Sequence, residues 1–366
     1  MNISRAMSKT RVKLHGCWLE LAYLVCALVL LAATTIVVGC GTAPMGTESL
    51  STETGEVQAT ATESPSGQDT GSAGGSAGSV SPETVEGQVV FQAAWGEEAD
   101  HVGLTGGGEK GELRGPASFT IDGETLYVLD GVNRRVLIVK EGKVINAVAI
   151  DEASDPTDLA VAADGTVIVD DSQGSREVLG YTIDGRLLKT IVPEDLMPAI
   201  LWREGETVYS LMGVNEQTLQ SSYVPIYQEG ALQNVAEQLD SALDGCPVQN
   251  GAIHVAAENG KVTVSKVGNG ETLLSVTLDP TVASPVEFQE QVDGKVVLSF
   301  LTESAEQGLQ RKAWLVGRSG LERSYDLGPE GIWSYEHVRS RVTADGSVYV
   351  MTTDSGGLTI KRFDLS

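Results

Sequence analysis

The sequence predicts an all-β protein whose folded part is a six-bladed β-propeller, and three observations predict it. An acidic residue or Asn followed by Gly, each time ahead of an alternating β-branched strand, occurs six times between Asp122 and Gly346. The copies are separated by 42, 40, 55, 34 and 52 residues, around the 40 to 50 that marks a propeller blade. A spare strand, Val89 to Trp95, lies ahead of the first copy, and the sixth copy is one strand short at Ser366.

The six turns are Asp122-Gly123, Asp164-Gly165, Glu204-Gly205, Asn259-Gly260, Asp293-Gly294 and Asp345-Gly346. Such pairs suit tight hairpins because both central residues tolerate positive φ. Second turns at Glu141-Gly142, Asp184-Gly185, Glu229-Gly230 and Ser319-Gly320 give each blade four strands. The 55-residue step holds Leu232, Val235, Ala236, Leu239 and Leu243 ahead of Gly245, a helical stripe that predicts one small inserted helix. The 52-residue step holds Thr302 to Lys312, which reads as a long polar loop. The strand at Val89 is expected to complete the last blade, because pairing the two ends closes the ring and removes an exposed sheet edge.

Ahead of the propeller the chain changes character. Arg5, Lys9, Arg11 and Lys13 precede an apolar run from Leu21 to Val38, which ends in Gly39-Cys40. A basic stretch, an apolar core and a small residue make a secretory signal. The Gly-Cys ending resembles the bacterial lipoprotein signal, which implies cleavage before Cys40 and diacylglyceryl transfer to its thiol. An uncleaved membrane anchor is the competing reading, since eighteen apolar residues nearly span a bilayer; a spanning helix has no need of Gly-Cys. Residues 41–86 contain seven acids, no Lys or Arg and no aromatic residue, too little apolar surface to fold. The expected organisation is a signal over 1–39, the lipidated Cys40 and a disordered tether over 40–86, and the propeller over 87–366. The tether has a root-mean-square reach of roughly 35 to 40 Å. The protein is then held at the outer face of the cytoplasmic membrane, or at the outer membrane of a Gram-negative source.

The net charge is −25 overall, and the first 40 residues carry four basic residues and one acid, so about −28 falls on the remainder. Nucleic-acid binding is excluded as a reading, because affinity there comes from neutralising phosphates with Lys and Arg. Cys17 and Cys26 leave with the signal and Cys40 takes lipid, so Cys246 alone remains and no intrachain disulfide is expected. Gly74 to Gly78 matches a hydrolase nucleophile elbow and Gly106 to Gly111 matches GxGxxG; neither lies between a strand and a helix, so both are read as loop.

Pro116, Asp130, Asn133 and Arg134 stand where the NHL repeat has a Pro opening the inner strand, an Asp closing the next, and then Asn-Arg. The first unit therefore resembles an NHL repeat. The second keeps Pro156 and Asp170, again fourteen residues apart, without Asn-Arg. In propellers of this kind the loops joining second to third strands, and one blade to the next, share a rim over the central channel. That rim would gather Asp130, Asn133, Arg134, Asp170, Asp171, Trp333, Tyr335, Glu336, His337 and Arg339, with Glu287, Gln289 and Arg341 on polar inner strands. The competing reading is that these groups satisfy one another, with Asp130 and Arg134 bracing a turn.

The resemblance also brings a zinc lyase into view, and His101, His254 and His337 invite the comparison. His254 lies five residues before its turn and His337 eight before its own, about 10 Å apart along a strand and on opposite faces, whereas zinc ligands lie within about 2.1 Å of the ion. Lactonase-like propellers hold calcium with Glu, Asn and Asp in the channel; no matching motif is read here, so no cofactor is expected and calcium is the ion left open. The expected function is a monomeric, lipid-anchored binding or scaffold protein presenting its rim to an envelope protein, peptide or glycan. The alternative is a metal-dependent hydrolase or lyase using the channel.

Overall fold

The computed structural model describes residues 81–107, 113–193, 196, 198–215, 220–248, 251–258, 261–277, 287–290, 295–304, 308–317, 320–329 and 338–365. They form a six-bladed β-propeller. Blade 1 is Ser118–Asp122, Thr125–Asp130, Arg135–Lys140 and Lys143–Ala149, and blade 2 is Asp158–Val161, Val167–Asp171, Glu177–Tyr181 and Leu187–Ile191. Blade 3 is Pro198–Glu204, Thr207–Asn215, Gln220–Gln228 and Ala231–Leu232, with Leu243–Asp244 also on its third strand. Blade 4 is Cys246–Val248, Gly251–Glu258, Lys261–Lys266 and Thr272–Thr277. Blade 5 is Glu287–Glu290, Val296–Ser304, Gly308–Gly317 and Gly320–Pro329, and blade 6 is Ser340–Val342, Val348–Asp354, Gly357–Phe363 and Gln88–Ala94.

The first strands of blades 5, 6, 1, 2 and 3 touch one another in that order, so they line the axis. Both faces of these sheets are covered by neighbouring blades. The strand Val167–Asp171 is accordingly buried at every position, and its first three residues, Val167, Ile168 and Val169, read as an apolar run instead of a strict alternation. Five clusters stitch the ring. One, for example, sets Phe91, Met351 and Ile360 of blade 6 against Phe119, Val128 and Leu137 of blade 1. Truncating a side chain such as Phe119 in that packing costs about 3 to 5 kcal/mol.

Closure is as expected: Gln88–Ala94 pairs antiparallel with Gly357–Phe363 as the outermost strand of blade 6. Ahead of Gly87, Glu83–Thr84 pairs in parallel with the outer strand of blade 5, opposite Tyr325 and Asp326. The segments expected to be signal and tether, Cys40 among them, lie outside the described residues except for 81–86. No helix among the described residues is long and apolar enough to cross a membrane.

The turn spacing needs one correction. Asn259-Gly260 and Asp293-Gly294 lie outside the described residues, but the strands flanking the first are the second and third of blade 4, whereas those flanking each of the other five turns are a first and a second strand. The first two strands of blade 4 meet across Gln249-Asn250. Measured there, the steps from Glu204 and on to Asp293 become 45 and 44 residues, and the irregular 55 and 34 disappear.

The inserted helix is short, Val235–Gln238 running into a 3-10 turn over Leu239–Ser241. Asn234 caps it by accepting from Ala236 N at 3.2 Å. The ends of the predicted stripe, Leu232 and Leu243, instead pair with the third strand of blade 3. Thr302 to Lys312 is likewise a hairpin and not a loop, with Thr302 opposite Gln310 and Ser304 opposite Gly308. Among the second turns, Glu141 and Gly142 both take positive φ, 51° and 73°, the geometry that a two-residue hairpin requires.

Candidate functional site

The rim is assembled from the ends of second strands. Asp130 closes the second strand of blade 1 and is fully buried. Its Oδ1 accepts from Gly103 N at 3.0 Å, and its Oδ2 from Asn133 Nδ2 at 2.8 Å and Arg135 Nε at 3.0 Å. Arg135 in turn donates to the carbonyls of Glu98 and His101 at 2.8 and 2.9 Å, and Asn133 to that of Gly96 at 2.9 Å. One carboxylate therefore holds the turn after its strand and the connector arriving from blade 6. Gly103 is the residue that allows this approach, since a Cβ there would lie 2.5 Å from Val132 and 3.0 Å from Asp130 Oδ1.

Blade 2 repeats the latch with Asp171. It is fully buried and accepts from Ser154 N at 3.0 Å, Asp155 N at 2.6 Å and Ser175 N at 3.1 Å, again joining its turn to the incoming connector. The arginines correspond too. Arg134 and Arg176 take φ of 52° and 65°, and their carbonyls accept from Ile150 N and Val192 N, both at 2.9 Å. Their guanidinium groups reach the next connector, Arg134 at Asp151 O and Arg176 at Pro193 O, at 3.2 and 2.6 Å. The Arg missing from the second unit by motif is thus present as Arg176. Asp130 is braced by Asn133 and Arg135, while Arg134 points outward at blade 1's exit.

Asp170, which the fourteen-residue spacing aligns with Asp130, occupies a different place. The ladder sets Ser118 opposite Leu129 in blade 1 and Asp158 opposite Asp170 in blade 2, so Asp170 stands where blade 1 has Leu129. The hairpin between first and second strands is longer in blade 2, with Val161 opposite Val167 where blade 1 sets Ile121 opposite Leu126, and this displaces the count by one. Asp170 is fully buried and accepts from Thr157 Oγ1 at 2.9 Å and Ser172 N at 3.0 Å.

Asp158 belongs to a group that crosses the channel. Its Oδ1 accepts from Ser118 Oγ at 2.5 Å and Arg341 Nη2 at 2.6 Å, and its Oδ2 from Leu201 N at 2.7 Å. Arg341 comes from the inner strand of blade 6 and also donates through Nε to Phe119 O at 3.0 Å. Blades 6, 1, 2 and 3 are therefore tied at one buried point. A second tie lies at the far ends of the inner strands, where Arg203 Nη1 meets Asp122 Oδ1 at 2.8 Å and Val161 O at 3.2 Å. Neither Asp158 nor Arg135 was singled out from sequence. The only sequence signal for them is a polar residue at the start of an inner strand and a second Arg after Asn133.

Of the remaining candidates, Arg339 is half-buried just before the inner strand of blade 6, its carbonyl accepting from Met351 N at 2.8 Å. Trp333, Tyr335, Glu336 and His337 lie outside the described residues. Glu287 and Gln289 fall on the inner strand of blade 5. His101 sits on the connector that Arg135 holds, its Nδ1 3.0 Å from Asp100 Oδ1. His254 is on the second strand of blade 4, so the register comparison that treated it as an inner-strand residue does not apply. Among the described residues no group of three or more His, Cys, Asp or Glu is placed to hold a metal ion. Cys246 is buried, and burial pushes its thiol far above the ordinary range, which makes it a packing residue and not a nucleophile.

No family model matches the chain, and no curated protein matches it. Solved structures that resemble it are other propellers. The WD40 β-propeller domain of Doa1 is 10% identical, with 77% of this chain and 98% of that one covered and a TM-score of 0.43. A streptogramin B lyase is 12% identical over 78% and 93% of the two chains, TM-score 0.40. A putative exported protein from Bacteroides fragilis NCTC 9343 is 10% identical over 76% and 94%, TM-score 0.40. Similarities at this level carry nothing about chemistry.

Proposed function

We propose that this chain is a lipid-anchored extracytoplasmic binding or scaffold protein, with an NHL-like propeller that presents the rim of second-strand ends to an envelope protein, peptide or glycan. The observation that carries the reading is the pair of latches. Asp130 and Asp171 spend buried carboxylates on backbone N–H groups of the rim loops, which fixes those loops before any partner arrives and lowers the ordering cost of binding. The carboxylates act through the loops, and the outward-facing groups, such as Arg134, make the contact. The inner-strand charges Asp158, Arg341, Asp122 and Arg203 are engaged with one another, which favours a rigid frame over a channel site. Attachment rests on the Gly39-Cys40 signal, since a diacylated cysteine gives stable anchoring without a spanning helix.

The test uses the full-length protein in its native envelope. A photocrosslinking residue at Val132 or Arg134 should capture a discrete partner, while one at Gly123 or Gly185, on the opposite rim, should not. Equal capture from both rims, or from neither, overturns the binding reading. Cys40→Ala should leave an unprocessed precursor that fails to partition into detergent as the mature form does; an unchanged mature band overturns the lipoprotein reading separately.

A further inference from the structure

Neither the latches nor the cross-channel tie explains Asp170, opposite Asp158 on the second strand of blade 2. It is fully buried, at a position the preceding blade fills with the fully buried Leu129. No cation contacts it among the described residues. Its cross-strand partner is a second carboxylate, Asp158, whose charge is already answered by Arg341 at 2.6 Å. The other groups packed around it are Thr157, which donates to it, and Ser172, whose N–H donates to it; Asp171, next in sequence, turns to the connector. An uncompensated buried carboxylate across the ladder from a second one is unfavourable.

A proton relieves this. A neutral carboxyl removes the second negative charge beside Asp158. We propose that Asp170 is a proton-binding site, holding its proton in the folded ring at pH values where a solvated aspartate is ionised, and that losing this proton loosens the blade-2 end of the rim. Burial pushes the Asp170 carboxyl above the ordinary aspartate range, the hydrogen bonds from Ser172 and Thr157 oppose it, and the Asp158 charge adds to the rise. A carboxyl raised in the folded state favours folding most below its unfolded value. That advantage is lost as pH climbs from the unfolded to the folded value.

The experiment compares thermal melts of the mature domain and Asp170→Asn across pH 4 to 8 in buffers of constant ionic strength. Asn reproduces the neutral carboxyl. The two proteins should melt alike at the acid end, and the parent should then fall behind with rising pH, by at least about 3 °C for a ring of this size. Asp170→Leu, the residue type of blade 1, should show the same flattened profile if Asn folds poorly. Parallel profiles, or an Asn variant that loses stability at the alkaline end, overturn the proposal. Selective 13C labelling of aspartate reads the site directly in the parent protein. A raised titration midpoint indifferent to replacing sodium with potassium supports a proton, whereas an ordinary midpoint, or one that moves with the cation, overturns it.

Discussion

Blades 1 and 2 close their rims with the same device and charge it differently. In blade 1 the latch carboxylate Asp130 has a cation, Arg135, five residues on and paired with it across the ladder. In blade 2 the same ladder position opposite Asp171 is Glu177, which turns away to Lys189 at 3.3 Å, so Asp171 is held by neutral donors alone. Blade 2 in exchange carries two further buried carboxylates on its first two strands, Asp158 and Asp170, where blade 1 has Ser118 and Leu129. The difference teaches that blades 1 and 2 share a geometry, a carboxylate at the end of the second strand gripping two loops, while the surrounding charge differs between them.

Three substitutions test that contrast, from the largest effect downward. Asp130→Ala should destabilise the domain by about 3 to 5 kcal/mol in a urea melt, because it leaves the largely buried Arg135 without its counter-charge and two N–H donors without an acceptor. Asp171→Ala should cost about 1 to 3 kcal/mol, the price of buried N–H groups left without an acceptor. If the two losses are equal, the ion pair is not what separates the blades. Arg134→Gly should change stability by only about 0.5 kcal/mol in either direction, since it relieves a positive φ while giving up one exposed hydrogen bond. Arg176→Gly gives up carbonyl contacts at both Pro193 and Leu196 and should be the more costly of the two; the reverse order would mean that the two arginines are not equivalent.

Much of this fold was legible from sequence because turn chemistry and strand alternation are local. The Asp-Gly pairs that open blades 1 and 2 and the closing strand at Gln88–Ala94 were all readable. Blade 4 was misregistered because Asn259-Gly260 carries the same signal whichever two strands it joins. Thr302 to Lys312 reads as loop because a long hairpin needs no apolar face along its full length. At the site, Asp130 and Asn133 followed from the motif, and Arg134 was named where Arg135 does the bracing. Asp170 was aligned in place of Asp171 because counting residues cannot see a hairpin lengthened by one. The contact of Asp158 with Arg341 spans 183 residues, and no local pattern announces it.

The short parallel strand Glu83–Thr84 gives the ring a mechanical fuse. Any pull along the preceding chain reaches the two-residue pairing with Tyr325 and Asp326 first, and only then the seven-residue strand Gln88–Ala94 that closes the ring. Two paired residues give way more easily than seven, so the first attachment is the one expected to yield under load. A load arriving from that side would then meet the flank of blade 5 before the seam of blade 6.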